Sequence, residues 1–125
     1  MKTIALAPLL LFVASAQPAS NIVLVAHSGT GDYTKMTPPV IEARRDGMLK
    51  AIQAGYAILA RGGKSLDTVE ATIRIMEDSR LYDSGSGAYY TKDGVPEMDA
   101  AIMDGRTLQA GSVASVKLRS IWRGW

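Results

Sequence analysis

Residues 97–117 read EMDAAIMDGRTLQAGSVASVK, and this stretch decides the fold class. Two runs of small and apolar residues, EMDAAIMDG and AGSVASVKL, flank a polar turn around Gly105. Runs of that length separated by a short glycine-bearing turn predict adjacent antiparallel strands. Just upstream, AYYT (88–91) reads as a further strand, and Lys92-Asp93-Gly94 as a hairpin turn, with Gly94 supplying the positive φ such turns need. Three carboxylates punctuate the strands. Glu97 and Asp99 share a face by the two-residue repeat of a strand, and Asp104 falls on the other. They read as solvated or turn-capping groups rather than an acid–base pair.

Working back from the strands, two helices are predicted. Met48, Ile52, Tyr56 and Leu59 recur at helical spacing from Glu42 onward, and Gly62-Gly63 supplies a stop. Ser65 is placed as an N-cap with Asp67 in the first turn, and Leu66, Val69, Ile73 and Met76 form the apolar stripe of the second helix. Both stripes read as core faces. Pro38-Pro39 closes a polar loop, and before it NIVLVA (21–26) is a continuous apolar, β-branched run expected as a buried strand. One strand, two helices, then an antiparallel run make an α+β chain with helices packed on one face of a sheet.

The chain of 125 residues has room for a single domain, and its 47% hydrophobic and 21% charged content is that of a globular protein. A net charge of +2 without a block of like charge gives no nucleic-acid footprint; Arg44-Arg45 and Arg119 with Arg123 are too short for one. The absence of cysteine excludes disulfides, thiolate catalysis and zinc ribbons together. Residues 1–16 carry a positive Lys2, an apolar run from Ile4 to Val13 too short to span a bilayer, and the small residues Ala14-Ser15-Ala16. That is a secretory signal. It predicts export, secreted or periplasmic, with a mature chain from Gln17 and no membrane association after cleavage.

Motif by motif, several chemistries fail. Gly29-Thr30-Gly31 lacks the third glycine of a dinucleotide fingerprint, since position 34 is Thr, and no phosphate-binding Gly-Lys-Ser/Thr run follows. His27, the single histidine, cannot build a histidine metal site and reads as a hydrogen-bonded residue at a strand end. The hydrolase elbow Gly-x-Ser-x-Gly fails around Ser86, because Ser84 stands where the first glycine belongs. One stretch remains open. MEDSRLYDSGSG (76–87) leaves a helix directly and curls through glycines, which turns backbone carbonyls inward as hard cations such as sodium or calcium prefer. A cation loop and an ordinary glycine-rich turn both fit that pattern.

Taken together, IVLVAHSGTG (22–31), AGYAILARGGKSLDTVEATIRIMEDSRLYDSGSGAYYTKDG (54–94) and EMDAAIMDGRTLQAGSVASVK (97–117) resemble the plant-type L-asparaginases, also called isoaspartyl peptidases. The resemblance covers nearly all of 22–117 and implies the first half, one sheet plus two helices, of a four-layer αββα N-terminal-nucleophile hydrolase sandwich. It implies hydrolysis of the asparagine side-chain amide or of β-aspartyl peptides, small-molecule substrates, through a threonine freed by self-cleavage whose own α-amino group is the base. Gly29 matches a glycine near that nucleophile. The family opens with His-Gly-Gly-Ala-Gly where this chain has His27-Ser28-Gly29-Thr30-Gly31, and Asp83 replaces an asparagine that helps orient the nucleophile. The resemblance also makes Met76, Glu77, Ser79, Tyr82, Ser84 and Ser86 a structural sodium loop, acting largely through backbone oxygens, with no other cofactor.

The family's nucleophile sits in a Gly-Thr-Val-Gly segment, and no such segment occurs here. Residues 118–125, LRSIWRGW, depart from the pattern, so the expectation is an asparaginase-like front part at 17–117 followed by a frameshift or truncation, with the C-terminal, β-subunit-like half missing as a partner. On that expectation the chain alone is inactive. The alternative is a secreted, non-catalytic binding module derived from the same fold.

Overall fold

The computed structural model describes residues 22–29 and 31–117. The expected signal peptide (1–16) and divergent tail (118–125) lie outside the described residues. In chain order the elements are a 3-10 turn at Tyr33–Lys35, helix α1 (Pro38–Ala60), helix α2 (Ser65–Asp78), a 3-10 turn at Gly85–Gly87, and strands β1 (Met98–Met103) and β2 (Ala110–Val116). Two helices and a two-stranded antiparallel sheet make the described residues α+β, as expected.

Helix α1 starts at the proline pair, earlier than Glu42, with Thr37 as its N-cap. Proline suits that position because its missing N–H is one the first turn leaves unbonded anyway. At the other end Arg61 and Gly62 donate back to Ile58 and Leu59, and Gly63 donates to Ile58, closing the helix at the glycine pair. Helix α2 begins one residue earlier than expected: Lys64 is the N-cap and Ser65 the first helical residue, and no side chain caps the end.

The seam between the helices corrects the expected stripe. Tyr56 is exposed, and the buried residues of α1 are Gly47, Ala51 and Gly55. Facing them on α2 are Thr68 and Thr72, 1% and 3% exposed. A Cβ on Gly55 would collide with Thr72 Oγ1 and come within 3.3 Å of Thr68 Cγ2, so the absence of a side chain is what lets the helices approach this closely. The buried hydroxyls are satisfied within the helix: Thr68 Oγ1 donates to the Lys64 carbonyl at 3.0 Å and Thr72 Oγ1 to the Thr68 carbonyl at 2.8 Å. From the expected apolar stripe of α2, Ile73 packs toward the sheet, joining Ala88, Ala100, Ile102, Val113 and Val116 around Met98.

The hairpin forms in the expected place. Asp104 closes the turn by donating its N–H to Gln109 and accepting from Leu108, while its carboxylate accepts from the Arg106 N–H at 2.8 Å. The register slips by one between Met98 and Ala100, leaving a bulge opposite Asp99. Ser115 sits in that bulge at φ +57°, with its N–H on Asp99 Oδ1 and its hydroxyl on Glu97 Oε2, each at 2.8 Å. Glu97, Asp99 and Asp104 are thus turn and bulge caps, as read. The AYYT segment makes only a single bridge, Tyr90 to Pro96, with a turn closed from Thr91 to Val95 and Gly94 at φ +75°.

Residues 22–29 differ most from expectation. Burial alternates as a strand's does, but Val23 and Val25 are 79% and 83% exposed, and the segment is assigned to no strand. A buried strand needs neighbours on its hydrogen-bonding edges and both its faces. Here Leu24 on the inner face approaches Gly55 of α1, and the outer face is bare.

Candidate functional site: the loop after the second helix

The oxygen-rich loop folds back across the C-terminal end of α2. Ser79 stops the helix: its N–H and its hydroxyl both reach the Met76 carbonyl, at 3.2 and 2.7 Å, and its Oγ accepts from the Leu81 N–H at 3.2 Å. Arg80 then turns the chain at φ +58°. Gly85 takes φ +57° and lies so close to the end of α2 that a Cβ there would stand 2.6 Å from the Glu77 carbonyl oxygen. Gly87 presses on the Tyr82 carbonyl in the same way. Ser86 is the middle residue of the short turn Gly85–Gly87, in which Gly87 donates to the Ser84 carbonyl at 3.0 Å. The Gly85 N–H points to Met98 Sδ at 3.2 Å, which ties the loop to the sheet.

Of the residues of the expected cation loop, Met76 and Glu77 belong to the last turn of α2, and Ser79, Tyr82, Ser84 and Ser86 to the turn that follows it. Glu77 and Tyr82 are each 2% exposed. Glycines pack against two main-chain oxygens of the turn, Gly85 on the Glu77 carbonyl and Gly87 on the Tyr82 carbonyl; hard cations take oxygen ligands of this kind. The Met76 carbonyl is occupied by Ser79, so Met76 and Ser79 shape the entrance to the turn. Among the described residues no group of three or more His, Cys, Asp or Glu is arranged to hold a metal ion.

Asp83 and Gly29, the two residues expected near the nucleophile, are held by different elements. Asp83 lies on the loop and lines a cleft of about 310 Å³ with Glu77, Ser84, Glu97 and Asp99. Gly29 ends the extended segment at φ +84° and donates its N–H to His27 Nδ1 at 3.0 Å. His27 is hydrogen-bonded as read, but exposed. Beside it Ser28 pairs with the Tyr33 hydroxyl, and Asp32 receives the Thr34 hydroxyl and faces Lys35, contacts that hold the Asp32 carboxyl below its usual range.

Sequence reading missed Arg44. It lies on α1, one turn before Gly47 on the seam face, and it anchors the loop at two points. Its carbonyl accepts from the Tyr82 hydroxyl at 2.6 Å, and its guanidinium faces Asp83 Oδ1 at 3.8 Å. Gly47 clears the space, since a Cβ there would meet Leu81 Cδ1 at 2.7 Å and the Tyr82 hydroxyl at 2.9 Å. Burial pushes the Tyr82 phenol up, with the Arg44 charge pulling the other way. A polar residue at helical spacing from two seam glycines was the available signal.

A family model described as asparaginase matches residues 20–120. The chain is similar to a plant-type L-asparaginase of Pyrococcus abyssi, 40% identical over 97 residues, which is 76% of this chain and 30% of that protein. It is similar to isoaspartyl peptidase/L-asparaginases of Bos taurus, 37% identical over 97 residues (78% of this chain, 31% of that protein), and Danio rerio, 39% over 95 residues (76% and 30%). The chain spans about three-tenths of the length of these relatives.

Proposed function

This chain belongs to the asparaginase family, and from that premise we propose that it is the front portion of an amidohydrolase acting on the asparagine side-chain amide or on β-aspartyl peptides. The single observation that carries this is the family match across 20–120, which includes the loop and the hairpin described above. Such hydrolysis needs a nucleophile, a base and oxyanion donors in one site. In this reading the first two are one threonine that the chain does not carry. Supporting that, several of the described threonines hold local structure: Thr68 and Thr72 bond helix carbonyls, Thr34 bonds Asp32, and Thr107 Oγ1 accepts from Gln109, while Thr91 Oγ1 is buried without a hydrogen-bond partner among the described residues.

The contribution of this chain is then to frame the site. In this reading Gly29, at the end of the extended segment, stands beside the nucleophile, and Asp83 stands where an asparagine would orient it. Glu77, Tyr82, Ser84 and Ser86, with Met76 and Ser79 at the entrance, hold a sodium ion whose charge stiffens the turn carrying Asp83. The surrounding fold is the αββα sandwich, in which the bare outer face of 22–29 is covered by the remaining layers. Export through the signal at 1–16 belongs to the same proposal.

The test grafts residues 22–117 into the Pyrococcus abyssi relative in place of its matching segment and follows ammonia release. The 125-residue chain alone is expected to release none from asparagine or β-aspartyl dipeptides. The graft is expected to turn over, and faster with Asp83→Asn. Sustained turnover by the short chain, free of host asparaginase, contradicts the reading, and so does a folded, self-cleaved graft that is inert.

A further inference from the structure

We propose that the Asp93–Gly94 peptide is a site of spontaneous modification, at which the chain isomerises through a cyclic imide to a β-aspartyl linkage. The inference is independent of the proposed activity and of any cation. The chain holds three Asp-Gly pairs, Asp46-Gly47, Asp93-Gly94 and Asp104-Gly105. Glycine leaves its nitrogen unshielded, because it has no Cβ. In each pair that nitrogen can attack Cγ of the aspartate before it and close a five-membered ring, an intramolecular step of high effective concentration. The N–Cγ bond forms, and the carboxyl OH leaves with the amide proton as water. Water then adds back to one of the two imide carbonyls. Opening the N–Cγ bond restores aspartate. Opening the bond from nitrogen to the main-chain carbonyl routes the chain through Cγ and leaves the α-carboxylate as a side group. Nothing is oxidised or reduced, and water is the one co-reactant.

The fold leaves one of the three pairs free to react. Gly47 is buried in the middle of α1, where the helix ladder holds its N–H and Leu81 and Tyr82 press on it. Asp104 is held at four points. Its Oδ1 accepts from the Arg106 N–H at 2.8 Å, its Oδ2 faces the Arg106 guanidinium at 3.6 Å, and its N–H and carbonyl bond Gln109 and Leu108. Ring closure there would break the turn that joins β1 to β2. The Asp93 carboxylate, among the described residues, faces only the adjacent Lys92 ammonium at 3.3 Å. The two side chains are 72% and 91% exposed, and a surface ion pair of that kind holds weakly. Gly94 sits at φ +75° where a Cβ would meet nothing within 4 Å, and its N–H bonds the Thr91 carbonyl at 3.0 Å across an exposed turn. Beyond the turn this hairpin has the Thr91-to-Val95 bond and the single Tyr90–Pro96 bridge. A hairpin with so few bonds opens at small cost, which frees both the nitrogen and Cγ to meet.

The β-linkage adds one backbone atom inside the turn that Thr91 and Val95 close, so the Thr91 N–H should lose its protection from exchange in the isomerised chain. The experiment ages the full 125-residue chain at mildly acidic pH in water enriched in oxygen-18, where each imide opening incorporates one heavy oxygen. Peptide mapping with electron-transfer fragmentation then gives the label and the linkage at all three pairs in the same sample. Under folding conditions Asp93 is expected to gain label and β-linkage at least about tenfold faster than Asp46 or Asp104, since reaction at a held site is slowed in proportion to its opening equilibrium. In concentrated urea the three rates should converge. Asp93→Glu, which would need a six-membered ring, should abolish the product at that position. Asp93→Asn should form the same imide with loss of ammonia, under folding conditions and ahead of Asp46→Asn and Asp104→Asn. A rate at Asp93 no greater than at either other pair overturns the proposal. So does a preference for Asp93 that survives in urea, because it would then belong to the local sequence and not to the fold.

Discussion

The two helices with their loop and the sheet with its extended neighbour are built on opposite terms. Ala51, Thr68, Tyr82 and Glu77 are all within 2% of full burial, so the helical half has an interior. The sheet half has one buried residue, Met98, and exposes Val23, Val25, Tyr89, Tyr90, Met103 and Leu108. A helix satisfies its own backbone and needs only one face covered, whereas a strand needs both edges and a facing layer. The helical pair therefore has a closed seam, while Val40, Ile41, Leu49, Tyr56 and Ile75 stay exposed on its other faces. The sheet half is complete only with the layers that the proposed fold would add.

The largest effect should come from closing the gap the helices depend on. Gly55→Val places a branched side chain where Thr72 Oγ1 already lies, and overpacking at such a seam costs ~3 kcal/mol. Chemical denaturation should show it as a lower midpoint with loss of cooperativity. Tyr82→Phe comes next. It removes a second donor to the Arg44 carbonyl, which lies inside α1, and unties the loop from that helix, at a cost of ~1 kcal/mol. The double substitution Val23→Ser, Val25→Ser sharpens the contrast from the other side. On an exposed face it should change stability by less than ~0.5 kcal/mol in this chain, yet it should destabilise the graft into the longer relative, where the proposed fold would cover that face.

The smallest effect concerns Glu97. The Ser115 hydroxyl, and then Lys117, hold its carboxyl below the usual glutamate range. A carboxyl depressed by folding stabilises above its unfolded pKa, and that contribution fades as pH falls through the lower folded value. The bulge should therefore persist through the pH at which a free glutamate protonates. Carbon-detected NMR titration should place the Glu97 midpoint below the ordinary value, and Ser115→Ala should move it back up.

The same contrast explains what the sequence disclosed. The hairpin was legible because turn chemistry and two-residue alternation are local, and Asp104, Asp99 and Glu97 cap what lies beside them. The helices were legible in extent but not in facing. Hydrophobic periodicity points to Met48, Ile52, Tyr56 and Leu59, while the seam is chosen by close approach at Gly47, Ala51 and Gly55, which carry almost no hydrophobic signal. NIVLVA has the composition of a buried strand, and composition states what a segment needs rather than whether it is present. In the site, the loop announced itself through its glycines and oxygens. Arg44 did not, because its partners Tyr82 and Asp83 lie far along the chain and join it only when α1 and the loop pack.

Hydrogen–deuterium exchange, read residue by residue on the 125-residue chain and then on the graft, tests the asymmetry most directly. The account predicts slow exchange across α1, α2 and the turn at 79–87 in the chain alone, with fast exchange at 22–29 and in β1 and β2 that becomes slow in the graft. Equal protection of sheet and helices in the chain alone, or a sheet that stays fast in a folded graft, would contradict it.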